Sequence, residues 1–489
     1  MPYIDADFDQ VHLLPPSIEE WIGDAHPARF IRCFVDQLDL QQLGISIRDV
    51  STSGRPSYAP GLLLRVWLYG YFKKVRSSRK VERACTEDIG FMWLCGNQAP
   101  DHNTLWRFWN ANHEVLRNVF KRSVLTSCSM GLVGMTRQAV DGTKLQGACH
   151  AGKAYDANDL AKRIDQLDSD LKELEGEIKQ AQSDGKEPSC DLPKKLQGKR
   201  ELKEAMERAQ EKLSNTPNAT HIHPQELEAR RVKTKGGKPF GYNAQAVVDE
   251  DNQIIVAADA VNEPNDTQQL TPMLDQAKEN LEPYREERAT EGEELPQPTS
   301  LADAGYPTAK QIGAAEAHGH EVLMPEHPSS AADDTKPYHA SKFEYDPVKD
   351  VVKCPEGKEL PFQRNRLKRS IPLRVYRSAE ACKNCPVFGK CTKDRHGRTI
   401  DITPWHDSVI RHREKMAKDE SKEELKKRAG IVEPVFGQIK SNGEFWRWTF
   451  KGLEKVKTQW AMLCTGWNLQ VMYKQWAALQ AKETSKKAA

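Results

Sequence analysis

Residues 132–144 read Leu-Val-Gly-Met-Thr-Arg-Gln-Ala-Val-Asp-Gly-Thr-Lys, an apolar run closed by an acid and a glycine. This pattern predicts a strand over 132–140 with Asp141 at its end. Working outward, 242–248 (YNAQAVV) and 253–260 (QIIVAADA) predict a hairpin joined across 249–252. A helix over 267–281, a strand over 299–303, a helix over 309–317 and a strand over 321–324 follow, with 284–298 a polar loop. Strands alternating with helices define an α/β class. In such sheets an acid at the C-terminal end of a strand faces the crevice where ligands bind.

The flanks read as helical. Leu63, Val66, Trp67 and Tyr71 recur at helical spacing behind Pro60, a first-turn residue. Asp101 is placed to cap a helix bearing Leu105, Phe108 and Trp109. Basic edges on these short helices fit a DNA-binding head; the alternative is an ordinary helical domain. Leu160, Ile164, Leu167, Leu171, Leu174 and Ile178 follow a 4-3-4-3-4 spacing, a coiled-coil seam. After a break at 184–188, Leu202, Met206, Ala209 and Leu213 resume it, so an antiparallel helical hairpin is expected. Residues 414–440 read as a long helix breaking near Gly430, and 453–479 as a tryptophan-rich helix.

Composition bounds the function classes. The 489 residues carry 72 Lys+Arg and 70 Asp+Glu, a net charge of +2, which alone says nothing of a polyanionic partner. Divided by segment, the charge is +8 over 51–140, −16 over 241–350, +9 over 351–400 and +6 over 401–489. Basic blocks of this kind suit phosphate contacts. No apolar stretch approaches the ~18–20 residues of a membrane span. The acidic start has no signal-peptide pattern, so a cytoplasmic protein without a membrane partner is expected. Eleven cysteines in a reducing compartment are then read as core residues, nucleophiles or metal ligands.

Three acids stand out by context: Asp141 before Gly142-Thr143-Lys144, Asp303 before Ala304-Gly305-Tyr306, and Glu433 within Arg428-Ala429-Gly430-Ile431-Val432-Glu433-Pro434-Val435-Phe436-Gly437-Gln438-Ile439-Lys440. Carboxylates gathered at one sheet end can hold two hard cations about 4 Å apart, the arrangement that serves phosphoryl transfer. Lys440 follows Glu433 by seven residues, which on a continuous helix puts the two on one face.

The ordered set resembles the DDE transposases of bacterial insertion sequences, in the subgroup with a helical N-terminal domain and a cysteine cluster before the last acid. Gly54-Arg55-Pro56-Ser57-Tyr58-Ala59-Pro60 and Asp101-His102-Asn103-Thr104 match its N-terminal part, and the three acidic motifs match its core. Arg428, Glu433 and Lys440 fit the signature around its last acid, whereas Leu425 stands where a tyrosine is often found.

The resemblance implies an RNase H-like core with Asp141, Asp303 and Glu433 as catalytic ligands of two Mg2+ or Mn2+ ions. It implies cleavage of terminal inverted repeats and transfer of 3′-OH strands into double-stranded target DNA, by a homodimer or larger synaptic complex at the bacterial nucleoid. Two alternatives stand beside it: a domesticated metal-dependent nuclease without strand transfer, and a non-catalytic zinc-containing regulator. The expected organisation is a helical DNA-binding domain over 1–128, a core over 129–155 and 225–345, the coiled-coil hairpin inserted at 156–224, a cysteine lobe over 346–400, and C-terminal helices over 401–489 completing the core.

Expected DNA contacts are Arg55, Lys73, Lys74, Arg76 and Arg79 in the head, Lys144, Arg428 and Lys440 at the acids, and Arg230, Arg231, Lys233 and Lys235 in a basic glycine-containing loop. Trp446 is placed to stack on a base. Cys354, Cys382, Cys385 and Cys391 can close a tetrahedral structural Zn2+ site, with His396 a substitute ligand.

Overall fold

The computed structural model describes residues 17–45, 57–183, 191–217, 219–234, 236–326, 336–368 and 371–488. Its centre is a mixed sheet built from β1 (Arg137–Gln146), β2 (Arg230–Arg231), β3 (Phe240–Asp249), β4 (Ile255–Val261), β5 (Thr299–Leu301) and β6 (Glu321–Leu323). β3 pairs antiparallel with β1, β2 and β4, while β5 runs parallel to both β1 and β6. The principal order is therefore β4-β3-β1-β5-β6, an antiparallel meander extended by two parallel strands. The crossovers are helices: α9 (Leu270–Thr290) between β4 and β5, and α10 (Ala309–Ala317) between β5 and β6. This mixed α/β arrangement is consistent with an RNase H-like core.

Two expectations about this sheet change. β1 starts at Arg137, not Leu132, so Asp141 lies mid-strand rather than at a strand end. The apolar residues before it form a loop: Asp249 accepts from the Gly134 and Met135 amides, both at 3.0 Å, and holds it outside the ladder. The helix expected to stop at Leu281 continues through Pro283 to Thr290 and takes in half of the expected polar loop.

Helices precede and follow the sheet. α1 (Pro27–Asp36), α2 (Pro60–Phe72), α3 (Ser78–Glu87), α4 (Ile89–Leu94), α5 (His102–Asn112) and α6 (Leu116–Ser129) form the N-terminal layer. Ser77, Asp88 and Asp101 cap three of them, each accepting backbone N–H groups of the first turn. At the C-terminal end the expected 414–440 helix is three: α12 (His406–Ala417), α13 (Asp419–Lys426) and α14 (Arg428–Gly437), so the breaks fall at Lys418 and Lys427 rather than Gly430. The tryptophan-rich helix α15 spans Leu453–Ala488. It packs on β4, α6 and α2, joining the N-terminal layer to the sheet. Its Asn468 amide accepts from Ile255 N and donates to Ile255 O, both at 2.9 Å, completing backbone bonds that β4 would otherwise bury unpaired. Trp460 likewise donates to the Gln245 carbonyl at 2.8 Å.

Between β1 and β2 the chain makes two long helices, α7 (Ala157–Ser183) and α8 (Asp191–Ser214). Leu160 and Leu167 pack with Met206, Ala209 and Leu213. Lys203–Asp168 at 2.6 Å and Lys199–Asp170 at 2.8 Å run in opposite sequence directions, so the helices are antiparallel. Between β6 and α12 lies a second sheet, β7 (Glu344–Asp346), β8 (Val351–Lys353), β9 (Glu359–Lys368), β10 (Ile371–Tyr376) and β11 (Ile400–Ile402), antiparallel throughout, with the short helix α11 (Ala379–Lys383). Its core is Phe343, Val352, Leu360, Tyr376, Ile400 and Ile402.

Candidate active site

The three acids come from a strand, a loop after a strand, and a helix, and α14 packs directly on β1. Asp141 is mostly buried, and its Oδ1 accepts from Gly142 N at 2.7 Å. Its Oδ2 accepts from Arg428 Nη1 at 3.2 Å, while Nη2 of the same guanidinium lies 3.6 Å from Glu433 Oε1. One cation thus bridges the strand carboxylate and the helix carboxylate, which are 292 positions apart in sequence. Burial pushes the Asp141 carboxyl above its ordinary range; Arg428 and the Gly142 amide pull against that, and the charge of Asp303 adds to it. Asp303, two residues past β5, accepts from Gly305 N at 2.8 Å in a local turn. Tyr306, fully buried, is raised well above its ordinary value by burial, then by the charges of Asp266, Asp141 and Asp303.

Asp266 is a fourth carboxylate that the sequence reading missed. It accepts from Lys144 Nζ, Asn243 Nδ2 and Gln245 Nε2, each at 2.7 Å. Gly142 pairs with Gln245 and Lys144 with Asn243, so by strand alternation these four share the face of β1–β3 opposite Asp141. Gln245 Oε1 in turn accepts from the Tyr306 hydroxyl at 2.5 Å. Gly142 leaves room for the Gln245 amide here: a Cβ would fall 2.1 Å from Gln245 Nε2. A Cβ on Gly305 would lie 3.0 Å from Asp303 Oδ1 and 3.7 Å from Asp266 Oδ2, so the network reaches around the strand ends to the acidic cluster. The signal for Asp266 was β3 itself: a wholly buried strand carrying Asn243 and Gln245 needs a polar partner opposite them.

Other expected residues fall as follows. Lys440 lies in a π-helical turn, Gln438–Asn442, which interrupts the α-helical register between it and Glu433. Its ammonium sits 5.9 Å from the Phe436 ring centroid. Lys74 Nζ donates to Asn442 O at 2.5 Å and Arg76 Nη1 to Gly443 O at 2.6 Å, so both tie the N-terminal layer to the chain after α14. Arg230 turns inward to the carbonyls of Leu227 and Ala229, and Arg231 stacks on Phe240. Lys73, Arg79 and Lys233 are exposed. Trp446 is 59% exposed, whereas Trp448 is buried. Arg55 and Lys235 lie outside the described residues.

The donor chemistry fits hard cations at the acids, since oxygen ligands suit Mg2+ and Mn2+ and a guanidinium already neutralises two of them. In the second sheet Cys354, Cys382, Cys385 and Cys391 line one pocket with Phe343 and Leu360. Lys358 N–H points to Cys354 Sγ at 3.3 Å and Arg398 N–H to Cys382 Sγ at 3.4 Å, bonds that favour thiolates. Burial raises the Cys391 thiol, Arg398 lowers it, and the three other thiols add to the rise. His396 lies outside that pocket lining and pairs with Arg395 at 3.2 Å.

Three carboxylates gathered beside a mixed sheet flanked by helices define an α/β protein with an acidic site. The chain matches two family models, a transposase DDE domain over residues 353–473 and a transposase domain (DUF772) over residues 16–111. Together the two matches support a DDE transposase of an insertion sequence, a family that implies DNA as substrate and divalent metal use in general. The first match takes in Arg428, Glu433, Lys440 and the four cysteines; Asp141 and Asp303 lie between the two. No curated protein and no solved structure matches the chain. Among the described residues no helix is long and apolar enough to cross a membrane.

Proposed function

We propose that the chain binds the terminal inverted repeats of its element, cuts the ends, and joins the freed 3′-OH strands to target DNA, with Asp141, Asp303 and Glu433 as the reacting centre. The observation that carries this reading is the Arg428 bridge between Asp141 and Glu433 with the charge of Asp303 felt at Asp141. Two divalent ions, Mg2+ or Mn2+, held by these acids would stabilise charge on the attacking and leaving oxygens.

The chain's own residues supply the rest. Water opens a phosphodiester to leave a 3′-OH and a 5′-phosphate. The 3′-OH then displaces a bridging oxygen of target DNA, one phosphodiester forming as another breaks. Arg428 neutralises Asp141 and Glu433 in the DNA-free protein and is placed to turn to a phosphate once cations take its place. Lys440 and the exposed Lys73, Arg79 and Lys233 would contact the backbone, and the exposed Trp446 would stack on a base. Cys354, Cys382, Cys385 and Cys391 would hold a structural Zn2+ that closes the second sheet, within the +9 block. Bringing two DNA ends together calls for a dimer or larger assembly.

Incubation with end-containing DNA and Mg2+ or Mn2+ tests the proposal. Cleavage followed by joining supports it; cleavage without joining indicates a nuclease, and binding without either a regulator.

A further inference from the structure

The most developed cluster outside the acidic site lies at the opposite end of β5 and β6. Asp275, on α9, faces His318 and His320, which flank the turn from α10 into β6. One ligand atom from each of the three lies within 4.8 Å of the others. Asp275 Oδ1 lies 2.9 Å from His318 Nδ1 and 2.7 Å from His320 Nε2, so two imidazoles converge on a single oxygen.

The backbone fixes this arrangement before any ligand arrives. Gly319, at φ +76°, closes the helix in a conformation that side-chain-bearing residues rarely adopt. His318 N, Gly319 N and His320 N donate to the carbonyls of Ala314, Glu316 and Ala315 at 2.9–3.0 Å. The His320 side chain is 5% exposed and immobilised, whereas His318 is 51% exposed and leaves one side open. Two imidazole nitrogens and a carboxylate are a ligand set for Zn2+ and its neighbours, with a remaining position for an exchangeable ligand. The site is set apart from the catalytic acids: Glu321 pairs with Thr299 at the start of β5, and Asp303 lies beyond the end of that strand.

We propose that Asp275, His318 and His320 form a binding site for a borderline divalent transition metal, Zn2+ foremost, which clamps α9 to the α10–β6 turn. The proposal is independent of the transposase chemistry and of the cysteine set. The test uses the full chain, stripped by chelation and titrated with Zn2+ against a chromophoric competitor. Wild type is compared with Asp275→Asn and with His318→Gln, an exposed position whose change leaves the fold intact by far-UV circular dichroism. The expected result is loss of one zinc equivalent, or at least tenfold weaker binding at one site, in both variants, with the remaining equivalents unchanged. Substituting Co2+ should give the lost equivalent as ligand-field absorption without sulfur-to-cobalt charge transfer. Wild-type stoichiometry and affinity in both variants would overturn the proposal and leave the cluster a hydrogen-bonded helix cap.

Discussion

Replacing Gly142 by alanine adds one methyl group at the point where the sheet meets the acidic cluster. The new Cβ would lie 2.1 Å from Gln245 Nε2 and 2.7 Å from Asp266 Oδ1, so the buried Gln245 amide must leave. It then loses its bond to the Asp266 carboxylate, about 1.5–3 kcal/mol, and its bond from the Tyr306 hydroxyl, about 0.5–1.5 kcal/mol. Alanine returns about 0.5–1 kcal/mol over glycine within a strand. The net cost is about 1–4 kcal/mol, read from the midpoint of urea unfolding followed by tryptophan fluorescence. Gln245→Ala alone removes the same two bonds, and Gly142→Ala on that background should cost little, giving a coupling of about 2 kcal/mol between the two positions. Additivity within about 0.5 kcal/mol, or a Gly142→Ala variant as stable as wild type, would refute the role given to this glycine.

Three further outcomes follow from the same contacts. Arg428→Ala removes the cation shared by Asp141 and Glu433, so in the absence of DNA the variant should bind Mn2+ about tenfold more tightly by calorimetry, one charge-assisted bond's worth, while cutting more slowly; unchanged affinity would count against the bridge. Asn468→Leu strands Ile255 N and Ile255 O inside the core and should lower stability by about 2–5 kcal/mol in urea, with a near-neutral change showing that β4 does not depend on that amide. Glu226, buried and bonded to the Tyr242 hydroxyl and Gly452 N, has its carboxyl raised, with burial the main cause. A raised carboxyl stabilises the fold below its unfolded pKa, and that contribution is lost as pH rises through the folded value; Glu226→Gln should therefore flatten the fall in melting temperature across that window, and an unaltered slope would remove Glu226 from the explanation.

Much of the fold was legible because local patterns and burial agree. The β3–β4 hairpin, the Asp101 cap and the helix of 309–317 each follow from residues whose periodicity or capping chemistry is realised in place. Where tertiary contacts overrule local pattern, the fold departs from it. The run of 132–136 looks like strand, but Asp249 captures its amides from across the sheet. Pro283 and the charged stretch after it look like loop, yet α9 continues to Thr290 from a stretch that Gln276 and Asn280 bond to Ala258 and Val256 of β4. Seven residues between Glu433 and Lys440 imply a shared face only on an unbroken α-helix, and the π turn removes that premise. Asp266 has no signature in its own segment; the pointer to it is the polar pair Asn243 and Gln245 on buried β3, and its place is set by the register of β1 against β3. The pattern around Arg428 suits a phosphate ligand; that it also spans two acids depends on α14 lying on β1.

The central claim is that Asp141, Asp303 and Glu433 act together on DNA. The most direct measurement is strand cleavage of end-containing DNA by Asp141→Asn, run beside a binding assay on the same DNA. The account predicts that cleavage is lost with both Mg2+ and Mn2+ while specific end binding remains at the wild-type level. Cleavage that persists in this variant would contradict it.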